Sequence, residues 1–385
     1  MSFNYNETQL SIIDSVQNIM KNFDDDYWLE CDQKSIFPHK FYDEIADGGW
    51  LGICMPKEFG GSALGITEAS IFMQKVSETG GGMAAASSIH INIFGPHPIV
   101  VHGNNEQKNK WLPSLINGKE KTCFGVTEPD SGLDTGKLKT FAKKINNGYL
   151  INGQKIWTST AQIADKILLL ARTTPIEECK KNTDGLSLFY TKLDRKKIEV
   201  TEIPKMGRSA VDSNQIFIDN LEVEDFDRIG EEGKGFIYQM IQFQEERLYA
   251  AAAALKGYEN IIQETIEYTR QREAFGKAIL DNQVVHYRLA ELQTEVELLR
   301  ALTYNAVEEY IEGKDVLTKA SMVKLKTGRL GREISDACLQ YWGGMGFMWE
   351  SSVARAYRDT RLGSIGGGSD EVMLGIISKQ MGILD

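Results

Sequence analysis

The sequence lacks the features that mark several large classes of protein. Its 385 residues include only five cysteines, and none of them forms a CxxC pair. An odd number of scattered cysteines argues against a disulfide framework or a zinc site. The five histidines show no H-x-x-x-H spacing, so we expect no metal site.

Long apolar runs and an excess of positive charge are also missing. No window approaches the ~20 apolar residues that a membrane-spanning helix needs. The net charge of −11 makes nucleic acid an unexpected partner. Residues 1–26 are acidic and resemble neither a signal nor a transit peptide. We therefore expect a cytoplasmic protein without a membrane span, in a bacterial setting.

The hydrophobic pattern divides the chain into three regions. Residues 1–120 show broken helical periodicity, whereas residues 121–232 carry short alternating runs and the turn signal Asn146-Asn147-Gly148. Residues 233–385 return to long helical stripes that an antiparallel bundle would bury. This order predicts an α+β multidomain fold: an N-terminal helical domain, a middle antiparallel β-barrel or sandwich domain, and a C-terminal helical bundle.

A glycine-rich stretch at residues 365–373 runs directly into a helix start. Ser369 is a suitable N-cap, and Asp370 and Glu371 occupy the first turn, where the helix dipole favours negative charge. Free N–H groups at such a place can hold an anion or a developing oxyanion. The alternative is a plain boundary, where one helix ends at glycine and the next begins at serine.

One glutamate stands on an unusual face of the helix that we predict over residues 236–271. The neighbours of Glu246 on that face are small or apolar: Phe243, Ala250, Ala253 and Gly257. A carboxylate in such a groove is partly desolvated, which raises its pKa and suits it to act as a base. The alternative is a surface glutamate paired with a basic neighbour. His90, in a run of small and apolar residues, is expected to be a buried structural histidine.

Five motifs resemble those of the acyl-CoA dehydrogenase family, in the order in which the family has them. Residues 124–134 are similar to its T-E-P-x-x-G-S-D signature, and residues 154–159 are similar to its second flavin segment. Residues 271–277, 340–346 and 367–373 resemble three more. The resemblance extends from about residue 5 to residue 380, which is nearly the whole chain.

This resemblance implies a C-terminal four-helix bundle, one FAD per subunit and a homotetramer built as a dimer of dimers. The implied reaction is α,β-dehydrogenation of an acyl-CoA thioester to the trans-2-enoyl-CoA. In that reaction a base removes the α-proton while the β-hydrogen passes as hydride to flavin N5. Electrons would then leave to an electron-transfer flavoprotein, as in fatty acid β-oxidation.

The matched positions imply contacts residue by residue. Those expected near the flavin ring are Phe124, Val126, Thr127, Trp157 and Ser159, and Gly132, Leu133 and Thr158 are also expected to contact the cofactor. Those expected to reach the rest of FAD across a dimer interface are Arg272, Phe275, Gln283, Gln340, Tyr341, Trp342, Gly343 and Gly344. Ser369, Asp370 and Glu371 would flank the flavin in the last loop. Those expected at the acyl-CoA are Ser131, Phe243, Glu246, Arg247, Gly367 and Gly368.

The catalytic base departs from the pattern of the larger part of the family. That part carries it in the last loop, in a pattern like Y-E-G-T, and Gly367 is the aligned residue here. A minority, including the long-chain and isovaleryl-CoA dehydrogenases, carries it just before an arginine, where this chain has Glu246 before Arg247. We therefore expect Glu246 to be the base, with Glu245 as the alternative. The amide N–H of Gly367 would hold the thioester oxygen.

One further departure concerns the acyl carrier. Leu133 stands where the family has a serine that contacts the cofactor pyrophosphate and the pantetheine arm. A modified carrier therefore stays open, as does a substitute hydroxyl from Ser131. Two other functions also stay open, namely a flavin-dependent monooxygenase or oxidase on the same fold and a catalytically inactive interaction protein. The motifs do not fix the length or branching of the acyl group.

Overall fold

The structure, a computed structural model, describes residues 5–383. Its first helix begins at a reciprocal cap: Asn6 accepts a hydrogen bond from the Gln9 N–H, and the Gln9 side chain accepts one from the Asn6 N–H. The helices of the N-terminal region are α1 (Glu7–Met20), α2 (Asp25–Lys34), α3 (His39–Asp47), α4 (Ile66–Ser77), α5 (Gly82–Phe94), α6 (His97–His102) and α7 (Asn105–Ile116).

The middle region forms one sheet of eight strands. They are β1 (Thr122–Gly125), β2 (Phe141–Ile145), β3 (Gly148–Ser159), β4 (Lys166–Arg172), β5 (Leu186–Lys192), β6 (Ile198–Glu202), β7 (Ser213–Glu224) and β8 (Arg228–Ile229). The order across the sheet is β6-β7-β3-β2-β4-β5-β8, with β1 paired to β4. The hairpin predicted at Asn146-Asn147-Gly148 is confirmed, since Ile145 pairs with Gly148. Most pairs are antiparallel as expected, but β1 and β2 each pair with β4 in parallel.

The C-terminal region consists mainly of long helices. It contains α8 (Gly235–Gln271), the hairpin β9 (Glu273–Ala274) and β10 (Lys277–Ala278), then α9 (Gln283–Ile311), α10 (Leu317–Trp342), α11 (Ser352–Thr360) and α12 (Asp370–Gln380). The helix predicted over residues 236–271 is thus confirmed as α8. None of the helices within residues 5–383 is long and apolar enough to cross a membrane.

Helix α8 joins the two helical regions in one hydrophobic core. Leu248, Leu255 and Ile262 of α8 are buried in the same cluster as residues of α1, α4, α5, α9 and α10. Tyr249 of α8 stacks on Phe94 of α5, with ring centroids 3.5 Å apart. The groove that contains Glu246 therefore lies between rigid, well-packed elements.

A buried ion pair ties the loop after β1 to strand β3. The Lys155 ammonium donates to Glu128 Oε1 at 2.9 Å and to the Val126 carbonyl at 3.0 Å. Glu128 also accepts the backbone N–H groups of Lys139 and Thr140. The Lys155 side chain is fully buried, and this burial lowers its pKa to about 8. The pair therefore fixes the segment from which Val126 and Thr127 project.

Removing only the cation of this pair should destabilise the protein. We expect Lys155→Met to lower the free energy of unfolding by about 3–5 kcal/mol, because Glu128 then stays buried as an uncompensated charge. Urea unfolding followed by circular dichroism measures this. The double variant Glu128→Gln/Lys155→Met should lose less, and Lys144→Met, which breaks an exposed pair with Asp225, should change little. A Lys155→Met protein as stable as the wild type would contradict the prediction.

Candidate active site

Glu246 lies on the face of α8 that is turned toward α5. Its Oε1 is 3.3 Å from Nε2 of His90, and each side chain is about one quarter exposed, at 24% and 26%. No hydrogen bond from residues 5–383 reaches the Glu246 carboxylate. Burial raises the pKa of Glu246 to about 7, although the nearby charge of Arg247 opposes this rise. A carboxyl group with this pKa can exchange a proton near neutral pH.

His90 stays uncharged beside this carboxyl group. Burial, assisted by the charge of Arg208, lowers the pKa of His90 to about 4. The imidazole therefore adds no positive charge that would hold Glu246 in its ionised form. The sequence indicated a structural histidine at this position, but the structure places its ring at the candidate base.

The neighbouring glutamate is bound to other groups. Glu245 Oε2 lies 2.7 Å from Nδ1 of His97, and Glu245 Oε1 accepts a hydrogen bond from the Tyr310 hydroxyl. A carboxylate held by two partners is a poorer acceptor for a substrate proton than one that has no hydrogen-bond donor. The geometry thus favours Glu246 over the alternative Glu245.

The glycine-rich loop adopts a conformation that requires glycine. Gly367 has φ +66° and Gly368 has φ +101°, values that side-chain-bearing residues rarely adopt. Space is open around Gly367, since a Cβ there would meet nothing within 4 Å. No acceptor within residues 5–383 takes the Gly367 N–H. Ser369 then caps α12 and accepts the Val372 N–H at 3.3 Å.

Two cationic side chains lie beneath this loop. Lys324 of α10 donates to the Gly368 carbonyl, and burial lowers the pKa of Lys324 to about 8. Arg247 is buried and donates to Ser321 Oγ at 3.5 Å, while its Nε has no partner within the described chain. A Cβ on Gly368 would lie 4.0 Å from Arg247 Nη2. The residue that follows Glu246 therefore reaches the loop, where Asp370 and Glu371 of α12 offset part of the positive charge of Lys324.

The expected flavin strand presents an aromatic side chain in a strained conformation. Trp157 has φ +60°, sits where the β3–β7 register shifts, and leaves 58% of its surface exposed. Positive φ at a bulky residue persists only where the surroundings impose it. Next to it, Thr158 is buried and its hydroxyl has no partner within the described chain. The bulge in β3 leaves the Trp157 indole exposed, so that a planar ring such as a flavin could pack against it.

The remaining residues of the first motif line the same edge of the sheet. Phe124 and Val126 are half-buried and pack on one core cluster, and the Thr127 carbonyl accepts the Ile156 N–H at 2.9 Å. Gly132 and Leu133 are exposed. Ser131 is buried, and its hydroxyl donates to the Asp134 carbonyl at 2.6 Å. That hydroxyl is therefore already engaged and does not replace the missing serine in this conformation.

The other expected cofactor residues gather at the far end of α8. Arg272 caps the C-terminal end of α8, and Phe275 lies in the turn of the β9–β10 hairpin, where it is fully exposed with φ +56°. Gln283 begins α9, and the segment from Gln340 to Gly344 ends α10. The Tyr341 hydroxyl donates to the Val284 carbonyl at 3.0 Å, and Trp342 stacks on Tyr268.

Within one chain, the residues near Glu246 lie far from the residues near Arg272. Glu246 and Arg272 are separated by about 40 Å along a helix that rises 1.5 Å per residue. The residues near Glu246 and those near Arg272 therefore do not form one site within a single chain. A site shared between two subunits would require such a separation.

Comparison with known proteins gives consistent matches along the chain. Family profiles for the acyl-CoA dehydrogenase N-terminal, middle and C-terminal domains match residues 6–119, 123–221 and 233–382. The probable acyl-CoA dehydrogenase YdiO of Escherichia coli (strain K12) is 30% identical over 99% of this chain and 98% of that protein.

Two further similarities extend this comparison. The caffeyl-CoA reductase-Etf complex subunit CarC of Acetobacterium woodii is 31% identical over 91% of this chain and 92% of that protein. Among solved structures, the FAD complex of PigA superposes with a TM-score of 0.93 at 25% identity, over 100% of both chains.

The raised pKa of Glu246 predicts that the difference in stability between the wild type and Glu246→Gln depends on pH. The folded protein holds this proton up to about pH 7, whereas an unfolded glutamate releases it near pH 4.3. The stabilisation that the protonated Glu246 contributes is therefore fully present below the pKa of the unfolded glutamate. It is lost as the pH rises through 7. Glu246→Gln should differ least from the wild type near pH 4 and melt at a higher temperature than the wild type near pH 9. Scanning calorimetry at the two pH values measures this, and a difference independent of pH would contradict the burial of the charge.

Proposed function

The chain belongs to the acyl-CoA dehydrogenase family, and we propose that it dehydrogenates an acyl-CoA thioester at Cα and Cβ with Glu246 as the base. One observation carries this proposal. Glu246 is a largely buried carboxyl group on which no hydrogen bond from residues 5–383 ends, and the next residue, Arg247, reaches the glycine loop, where no acceptor among those residues takes the Gly367 N–H. A base and an oxyanion donor near each other are what removal of a proton next to a thioester carbonyl requires.

The roles of the chain's own residues follow from their positions. Glu246, ionised near neutral pH, takes the α-proton of the substrate. The Gly367 N–H points its positive end at the thioester oxygen, where negative charge develops as that proton leaves. Arg247 and Lys324 lie buried beneath the loop and stabilise the same charge. His90 stays neutral and keeps the groove beside Glu246 from becoming cationic.

The family and the FAD-containing structural neighbour imply FAD as the cofactor. Bound FAD would accept the hydride that leaves the β-carbon. Trp157, Phe124 and Thr127, with Thr158 and Ser159, would hold the ring. The group around Arg272 and Phe275 would hold the remainder from a neighbouring subunit, and we therefore propose a homotetramer built as a dimer of dimers.

The electron acceptor is a further part of this proposal. We propose an electron-transfer flavoprotein, since a relative of similar length is a subunit of a complex with Etf. Mixing substrate-reduced protein with such a flavoprotein and following the reoxidation tests this part.

Flavin reduction under anaerobic conditions tests the reaction and the base. We expect straight and branched acyl-CoAs to bleach the flavin of the wild type. Glu246→Gln should retain FAD but bleach at least ~10²-fold more slowly, because the proton acceptor is lost. Glu245→Gln is the matched control and should stay within a few-fold of the wild type. Normal bleaching by Glu246→Gln would make Glu246 a structural residue. No bleaching with any acyl-CoA would favour oxygen chemistry or another acyl carrier.

The pH dependence gives a second test of the base. Because Glu246 must be ionised and burial raises its pKa to about 7, kcat/KM for flavin reduction should fall about tenfold per pH unit below that value and level off above it. Stopped-flow measurements between about pH 5.5 and 9 provide the profile. A profile that is flat across this range would contradict the assignment.

A further inference from the structure

The glycine-rich loop lies along one face of α10. Gly328 of that helix is so close to the segment before the loop that a Cβ on it would lie 2.5 Å from the Gly363 carbonyl oxygen. Lys324, one turn earlier on the same face, donates to the Gly368 carbonyl at the other end of the loop. Helix α10 therefore holds the chain both before and after Gly367.

The segment between these two contacts has few other bonds. The Gly366 N–H donates to the Leu362 carbonyl at 2.9 Å. Among residues 5–383, the only side-chain hydrogen bond to residues 365–368 comes from Lys324. Successive glycines lose more conformational freedom when they are ordered than other residues do. The direction of the Gly367 N–H therefore depends on whether the residues on both sides of it are held.

The Lys324 ammonium occupies a place that disfavours a cation. Its side chain is buried, and this burial lowers the pKa of Lys324 to about 8. The charge of Arg247 also lowers this pKa, whereas Asp370 and Glu371 oppose the change. Helix α12 begins at Asp370, so the positive end of its dipole faces the same place. Within residues 5–383, the hydrogen bond of this ammonium goes to an uncharged carbonyl.

The stability of α12 does not explain this arrangement, because a cation near a helix N-terminus is unfavourable. A positive charge that the resting protein destabilises is favoured when negative charge forms beside it. The proposed reaction forms such a charge on the thioester oxygen, next to the Gly367 N–H. The position of Lys324 therefore suits the reaction better than it suits the resting fold.

We propose that Lys324 is a positioning residue for the oxyanion donor: by holding the Gly368 carbonyl, it fixes the direction of the Gly367 N–H. The inference rests on the proposed function and goes beyond it, since the rate then depends on the loop geometry that Lys324 maintains and not only on its charge. An uncharged amine still donates hydrogen bonds, so the contact persists when Lys324 loses its proton.

Substitutions on α10 test this role. In anaerobic flavin reduction by an acyl-CoA that reduces the wild type, Lys324→Met should lower kcat at least ~10-fold, because a displaced oxyanion donor loses part of its effect. KM should stay within about threefold of the wild-type value, since this donor acts mainly in the transition state. Lys326→Met, which breaks a partly exposed pair with Glu295, is the matched control and should behave like the wild type.

A second substitution separates positioning from direct stabilisation by charge. Gly366 does not have a positive φ, and a Cβ on it would first meet the exposed Leu362 side chain, at 3.2 Å. Alanine at this position therefore restricts the loop without straining its backbone. Gly366→Ala should restore part of the kcat that Lys324→Met loses, whereas it cannot replace a missing charge. No recovery of kcat would overturn the positioning role.

Infrared spectroscopy supplies a readout independent of turnover. Holoprotein with Glu246→Gln, in which reduction is slow, binds an acyl-CoA labelled with ¹³C at the thioester carbonyl. The C=O stretch should lie below its frequency in solution, because the Gly367 N–H polarises the carbonyl. Adding Lys324→Met should return the band most of the way to the solution frequency. If that variant does not fold, Lys324→Arg keeps a buried cation, displaces the donor atoms and should return the band part of the way.

The two levels of the proposal fail in different ways. A wild-type kcat and an unshifted carbonyl band in the Lys324→Met protein would overturn the role of Lys324 and leave the dehydrogenase reaction intact. Reduction of the wild type by none of the acyl-CoAs would overturn the proposed function itself.

Discussion

The desolvation of one carboxylate, Glu246, is the constraint on which the rest of the site depends. A charged carboxylate between two packed helices is unfavourable unless a partner compensates it. The part of the chain that the structure describes supplies only a neutral imidazole at 3.3 Å and a guanidinium on the next residue. The group is therefore poised between its two protonation states. Any added donor at this position would stabilise the ionised form and weaken the group as a base.

Helix α8 can bury the Glu246 carboxylate because it packs between the N-terminal and the C-terminal helical regions. Its packing against α4 and α5 on one side and α10 on the other places Glu246 in the groove while Arg247 turns toward the glycine loop. Successive residues on a helix differ by about 100° in direction. Two adjacent side chains can thus serve the two ends of one reacting group without any loop rearrangement.

Sequence patterns predicted the architecture and the candidate base, but not the residues that complete the groove. The periodicity of α8 and the turn signal before Gly148 depend only on residues close in sequence, so they can be recognised from the sequence alone. The structure confirms both elements. His90 and Arg208 act through contacts between elements far apart in sequence. His90 contacts Glu246 on another helix, and Arg208, which has a left-handed backbone conformation, donates its N–H to Asp359 of α11; no local pattern predicts either contact. The parallel pairing of β1 with β4 escapes prediction for the same reason.

The length of α8 has a consequence for the assembled protein. Its 37 residues carry Glu246 in the first third of the helix, and the exposed Phe275 hairpin follows its C-terminal end. If both ends serve one cofactor through neighbouring subunits, cofactor loading and subunit association are thermodynamically linked. Dilution would then release flavin and dissociate subunits together, and added flavin would drive reassembly. The bound cofactor would then stabilise the association of subunits in addition to taking part in the reaction.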